Sequence, residues 1–388
     1  MEFALTPEQE EMRRTALRVA RSFDNEYWQK IDSESVFPRA YWDAVVKHGF
    51  TGVAVDAAYG GSGLGLLDLA ICVEALSNSP AGMGGGGIFV AGPVFGGFLI
   101  GKHGTPAQKG RFLPGIAAGD LWAGAFTEAN SGSNISDIKT VATETDAGYR
   151  IRGQKMFISN IAVAKHIAIY ARTAPRSAEQ KTHGVTLFVT DLPNPRITGK
   201  PFKKLGSHWM DTNAVFLDDV EIPADGIVGV EGRGWGALYD VLNPERIILA
   251  ATAIGAGLWL VEQAVRHAKE RSVWGKPIGT HQGIQFPLAQ AKAHLDAARL
   301  AVLESAWLYD RGDSRCGIAA AAAKYSAAHA ALAAADQAIQ TLGGAGYMVE
   351  SGIERHWRDL RLNRIAPVSD EMALGYIAQH DLGLPRSY

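Results

Sequence analysis

The hydrophobic positions change their period twice along the chain. Leu5, Met12, Ala16, Val19 and Phe23 recur at helical spacing, which predicts a helix with one buried face. Thr6-Pro7-Glu8 opens that run with an N-cap hydroxyl, a proline at the first helical position and an early acid. The same spacing returns at Tyr41 to Gly49 and Leu66 to Leu76, with the turn cluster Tyr59-Gly60-Gly61-Ser62-Gly63 between them. From about 121 to 235 the pattern shortens to the alternating or β-rich runs LWAGAFT, YRIRG, HIAIYART, GVTLFVT and TNAVFLDDVEI, punctuated by Asp-Gly, Pro and Asn. Beyond 236 helical periods return over 244–271 and 281–311, and 317–341 is alanine-rich enough to imply close helix–helix packing. The pattern therefore predicts an α+β fold: an N-terminal helical domain (1–120), a central antiparallel β domain (121–235) and a C-terminal helical domain (236–388).

Composition narrows the function. The 388 residues carry a formal net charge of −2, which removes the basic footprint of a nucleic-acid binder or a membrane-surface protein. A hydrophobic fraction of 47% excludes disorder. Cys72 and Cys316 lie far apart, with no CxxC signature, as expected in a reducing compartment. The start MEFALTPEQEEMRR is acidic and polar rather than leader-like, so a cytoplasmic location is predicted. Ala75 to Gly101 carries no charge, but its nine glycines and two prolines predict two buried segments with a flexible join rather than a membrane span. Glycine is in excess, at 44 residues, and must supply turns or close backbone approach.

Most short motifs fail on mechanics. Gly82 to Gly87 satisfies GxGxxG, but no strand precedes it, so a loop is predicted and not a dinucleotide site. The histidines do not cluster at ligand spacing, so no metal is expected. What remains is dispersed. Phe126 to Asn134 is a hydroxyl-rich loop after a strand, and Phe157-Ile158-Ser159-Asn160 pairs an aromatic face with a hydroxyl two residues on. Glu270 to Pro277 places Arg271 beside Trp274 at a helix end, suited to a diphosphate or to a simple cap. Gln340 to Tyr347 ends another helix in glycines, where bare backbone can approach a phosphate. Asn243-Pro244-Glu245-Arg246 is predicted to open a helix, with Asn243 as N-cap and Pro244 at its first position.

The order of these segments resembles the acyl-CoA dehydrogenase flavoprotein family over essentially the whole chain. The family's Thr-Glu-Pro-x-Ala-Gly-Ser-Asp stands as Thr127 to Asn134, its Trp-Ile-Thr-Asn as Phe157 to Asn160, and its Arg-x-x-Phe-Gly-Lys as Arg271 to Lys276, followed by His281-Gln282. Its Gln-x-x-Gly-Gly-x-Gly-Tyr stands as Gln340 to Tyr347, and its Arg-Asp as Arg358-Asp359. The resemblance implies that the C-terminal domain is a four-helix bundle and that the cofactor is FAD. It places Phe126, Thr127, Phe157 and Ser159 around the flavin ring, with Ser369 also on the cofactor. Arg271, Trp274, Gln282, Gln340, Gly343 and Gly344 would hold the diphosphate and adenosine, and in the family this set comes from a neighbouring subunit, so a homodimer or homotetramer is implied. Ser133, Asn243 and Arg246 are assigned to the acyl-CoA substrate, and an electron-transfer flavoprotein is the implied electron acceptor.

The family removes an α-proton with a carboxylate and passes the β-hydride to flavin. Its usual base, nine residues after the Arg of Arg-Asp, corresponds here to Pro367, which can neither act as a base nor offer an N–H to the substrate carbonyl. A minority branch, isovaleryl- and long-chain-like, takes the base from a Glu-Arg pair on a C-terminal-domain helix, and Glu245-Arg246 occupies that place. At a helix start beside Arg246 the Glu245 carboxyl is expected to have a low resting pKa that a bulky acyl chain would raise. The small Ala366 beside Pro367 favours branched or bulky acyl groups. The departures at Pro367, Phe157 and Ser159 leave alternatives: a relative turned flavin monooxygenase, an acyl-CoA lyase or desulfinase, an enzyme acting on a carrier-protein thioester, or a non-catalytic subunit.

Overall fold

The Thr6 cap forms as the sequence predicts. In the computed structural model, which describes residues 4–176 and 182–386, Thr6 Oγ1 accepts from the Gln9 N–H while Gln9 Oε1 accepts from the Thr6 N–H. This box opens α1 (Pro7–Arg21), followed by α2 (Asn25–Glu34), α3 (Arg39–Lys47) and α4 (Leu66–Ser77). The α2 helix escaped the hydrophobic pattern because only Trp28 and Ile31 of its ten residues are buried.

The uncharged stretch is helical rather than a loop. It runs as α5 (Met83–Gly86), a tight turn at Gly87–Val90, a wide helical turn at Pro93–Phe98 and α6 (Leu99–His103), before α7 (Pro106–Ala117). Its glycines are there for close packing: a Cβ at Gly84 would lie 2.9 Å from the Trp28 ring, and one at Gly82, where φ is +53°, would collide with the His356 ring. Met83–His103 and the later Gly234–Glu270 are each long and apolar enough to cross a membrane, but both are largely buried inside the protein.

The central strands are β1 (Trp122–Ala125), β2 (Val141–Thr145), β3 (Gly148–Ser159), β4 (His166–Arg172), β5 (Val185–Asp191), β6 (Ile197–Pro201) and β7 (Thr212–Ile222). They form one sheet in the order β1-β4-β2-β3-β7-β6, with β5 also on β4. The pairing is mixed, not purely antiparallel: β4 runs parallel to β1 and to the end of β2, while the other pairings are antiparallel. The β2–β3 hairpin supplies the long crossover that the parallel β1–β4 pairing requires. Strand β4 is buried on both sides. Ile167, Ile169 and Ala171 join the β-domain core, and Ala168 and Tyr170 join the core formed by the helices.

The C-terminal part contains α8 (Gly234–Glu270), the hairpin β8 (Ser272–Val273) and β9 (Lys276–Pro277), α9 (Gln282–Asp310), α10 (Cys316–Leu342), α11 (Gly344–Tyr347), α12 (Ile353–Arg361) and α13 (Asp370–His380). Gly257 of α8 packs on Leu295 of α9 and Ala331 of α10, which fixes the register of the bundle. At one end lie Arg246, the Ser305–Cys316 contact and Tyr376; at the other lie Arg271, Gln282 and Gly343. The Arg358-Asp359 pair joins the thirds. Asp359 accepts from the Ser207 N–H and from Trp209 Nε1 at 3.3 Å, and Arg358 pairs with Asp32 at 2.7 Å.

Candidate active site

Glu245 does not open a helix. The α8 helix begins at Gly234, and Pro244 lies inside it, so neither the N-cap role of Asn243 nor the first-turn role of Pro244 holds. Proline removes the N–H that Asp240's carbonyl would accept, but burial of Trp235, Leu238 and Val241 carries the helix across the gap. Glu245 is 4% exposed, and its Oε2 has no hydrogen-bond partner. Arg246 turns away from it: Nε donates to Leu242 O at 3.1 Å, Nη2 donates to Asn243 Oδ1 at 2.7 Å, and the guanidinium lies 5.8 Å over the Tyr376 ring. Burial therefore pushes the Glu245 carboxyl up to about 8, with Arg246 only partly opposing it. The low resting value expected at a helix start is reversed.

An aromatic platform lies on the sheet side. Lys155 pairs with Val215 while Ile158 pairs with Asn213, so β3 carries one extra residue at Met156-Phe157. That bulge holds Phe157 at φ 61° and leaves its ring 63% exposed, with Phe202 5.6 Å away. Ser159 Oγ lies 3.4 Å from Thr212 Oγ1. Phe126 is half-buried between Phe95 at 5.7 Å and Tyr170 at 6.1 Å, and the Thr127 carbonyl accepts from the Met156 N–H at 2.8 Å. Two neighbours were invisible to sequence reasoning. Glu128 anchors the loop by accepting from the Lys139 N–H at 2.6 Å, the Thr140 N–H at 2.9 Å and Lys155 Nζ at 2.9 Å. Tyr170 is 4% exposed, and its phenol is raised by burial and by the Glu245 charge. In the sequence both read as ordinary strand or loop residues.

Ser133 is exposed on the loop that Glu128 anchors. Ser369 caps α13, its hydroxyl accepting from the Met372 N–H at 3.3 Å. The preceding loop is held where Lys324 Nζ donates to Val368 O at 2.5 Å and where His329 and Arg364 each meet Asp370 at 2.8 Å.

The remaining predicted residues sit elsewhere. Arg271 caps α8 and is exposed. Trp274 (φ 51°) and Gly275 (φ 80°) form a two-residue hairpin turn that leaves Trp274 89% exposed. Gln282 and Gln340 are exposed, and the backbone at Gly343 and Gly344 is open, with no atom within 4 Å of either missing Cβ. From Glu245 to this group is about 39 Å along α8, at about 1.5 Å per residue. The structure thus divides the predicted residues between two ends of the bundle. A cavity of about 790 Å³ between α1, α4, α8 and α9 belongs to neither group; the Glu74–Arg299 ion pair lines it at 2.7 Å.

Three family descriptions match in order: the N-terminal domain of acyl-CoA dehydrogenase over residues 6–120, its middle domain over 123–220 and its C-terminal domain over 232–382. The acyl-CoA dehydrogenase FadE12 of Mycobacterium tuberculosis is 39% identical over 391 residues, covering 100% of this chain and 99% of its own. The chain belongs to the acyl-CoA dehydrogenase family. The cyclohex-1-ene-1-carbonyl-CoA dehydrogenase of Geobacter metallireducens is 34% identical, covering 87% of this chain and 88% of its own. The solved butyryl-CoA dehydrogenase of Megasphaera elsdenii superposes with a TM-score of 0.91 at 31% identity, covering 96% of this chain and 98% of that one. This acyl-CoA dehydrogenase is an FAD-dependent oxidoreductase that dehydrogenates acyl-CoA. Its residues fit that cofactor: an exposed aromatic face at Phe157, an unpartnered indole at Trp274 beside Arg271, and open glycine backbone at Gly343.

Proposed function

We propose that the enzyme dehydrogenates α-branched or cyclic acyl-CoA thioesters, with Glu245 removing the α-proton. The observation that carries this reading is a buried carboxyl with an unpartnered oxygen beside an aromatic platform, in a chain where Pro367 stands at the usual position of the base. A carboxyl near pKa 8 is matched to proton transfer at neutral pH, which a fully solvated glutamate is not. FAD supplies the acceptor for the β-hydride when bound. Phe126, Thr127, Phe157 and Ser159 hold its ring side, Ser369 lies on the adjoining loop, and Ser133, Asn243 and Arg246 border the thioester side.

Arg271, Trp274, Gln282, Gln340, Gly343 and Gly344 take the diphosphate and adenosine of a neighbouring copy. The separation of about 39 Å along α8 supports this, because one dinucleotide does not reach both groups within one chain. The second copy docks on α9, whose Phe286 and Leu300, exposed on one side, belong to an i, i+7 stripe with Ala293 and Trp307. A homodimer, or a dimer of such dimers, results, and an electron-transfer flavoprotein is the proposed electron acceptor. The small Ala366 beside Pro367 supports a wide acyl end, as does similarity to a relative named for a cyclic acyl group.

Anaerobic mixing with straight, α-branched and cyclic acyl-CoAs tests the substrate class. Faster bleaching of the flavin band by branched or cyclic thioesters is expected. A preference for long straight chains would overturn it.

A further inference from the structure

We infer that Tyr170 is a positioning residue for the base, its phenol donating a hydrogen bond to the Glu245 carboxylate; this rests on the reading of Glu245 as base. A carboxylate formed inside a protein needs a donor, because burying it without one costs several kcal/mol (~2–7 by transfer scales for a neutral polar group, and more for an ion). Glu245 receives no hydrogen bond from any described residue, and its Oε2 is fully buried.

The surrounding elements leave one candidate. On α8 itself, Arg246 is committed to Leu242 O and Asn243 Oδ1. From α13, Tyr376 lies under Arg246; from α10, Cys316 and Lys324 face Arg246 rather than Glu245. From α6, His103 is taken by Asp240 at 2.8 Å, and from α9, Tyr309 faces Asp240. From the sheet comes Tyr170, on the side of β4 that joins the helical core with Ala168. Its ring stands edge-on to Phe126 (6.1 Å, 86°), and its hydroxyl has no partner among the described residues. Tyr170 also senses the Glu245 charge.

The chemistry follows from donor strength. A phenol donates to a carboxylate more strongly than to a neutral carboxylic acid, so the bond favours the ionised, proton-accepting form of Glu245. It also fixes which oxygen stays free for the α-proton. As the carboxyl takes that proton the bond weakens, and no proton needs to leave Tyr170. The edge contact with Phe126 ties this pair to the ring platform.

The test is the pH dependence of anaerobic flavin bleaching at saturating acyl-CoA for the wild-type holoenzyme, Tyr170→Phe and Glu245→Gln. Phenylalanine keeps the ring contact and removes only the donor. The expected result for Tyr170→Phe is an acid limb moved up by about one pH unit, an about tenfold slower rate at neutral pH that recovers at alkaline pH, and little change in KM. An unmoved acid limb, or a loss confined to KM, overturns the role of Tyr170. Normal bleaching by Glu245→Gln would instead remove the base reading itself, so the two failures are distinguishable.

Discussion

Replacing Glu245 by glutamine should make the enzyme more stable, and increasingly so as pH rises. The folded-state carboxyl sits near 8 against an ordinary 4.5, because burial penalises its charged form. Between those values the unfolded chain releases the proton while the folded chain keeps it, so wild-type stability falls with rising pH across the window. Glutamine has no proton to release, so its stability lacks this term. From pH 5 to 7.5 the linkage amounts to about 3 kcal/mol at ~1.36 kcal/mol per pKa unit. An entropy of unfolding of ~2.1 cal/mol/K per residue turns that into a widening of about 4 °C in Tm for a chain of this length. Thermal unfolding of the two holoenzymes without acyl-CoA, in matched buffers, measures it. The gap at pH 5 sets the baseline for the substitution. A gap that stays constant or narrows toward pH 7.5 would refute the claim that the carboxyl is buried without compensation.

Two further results are expected. Gly82→Ala forces a Cβ into the His356 ring, which is stacked on Trp259 at 4.4 Å, from a backbone with φ +53°. It should cost about 1–3 kcal/mol, read as a lower Tm with flavin content unchanged; an unchanged Tm would mean that the glycine run is not there for packing. Phe286→Glu combined with Leu300→Glu should yield a monomer by light scattering that has also lost most of its FAD. A monomer that keeps a full complement of FAD would contradict a cofactor shared between copies.

Where signals are local, the sequence was readable. The Thr6 capping box, α4 and the three long C-terminal helices follow from caps and periodicity. The start of α8 did not, because Pro244 imitates a first helical position, and only the burial of Trp235, Leu238 and Val241 extends the helix upstream. That single boundary inverted the electrostatics of Glu245, from a carboxyl favoured by a helix end to one penalised by burial. Strand direction was likewise hidden: alternation in β1 is the same whether its partner β4 runs parallel or antiparallel. The glycine run was correctly refused as a dinucleotide motif, yet its short helix was missed, because its stability comes from contacts with Trp28, Trp209 and His356 far away in sequence. Within the site, the ordered motifs pointed to Phe126, Phe157 and Glu245. Nothing local distinguishes Tyr170 or Glu128 from any other tyrosine or glutamate near a strand.

The central claim is that Glu245 takes the α-proton. Its most direct test is single-turnover anaerobic reduction of the flavin in Glu245→Gln by an α-branched acyl-CoA. The account predicts a holoenzyme with an intact flavin spectrum that binds the thioester and does not bleach. Bleaching at the wild-type rate would contradict it.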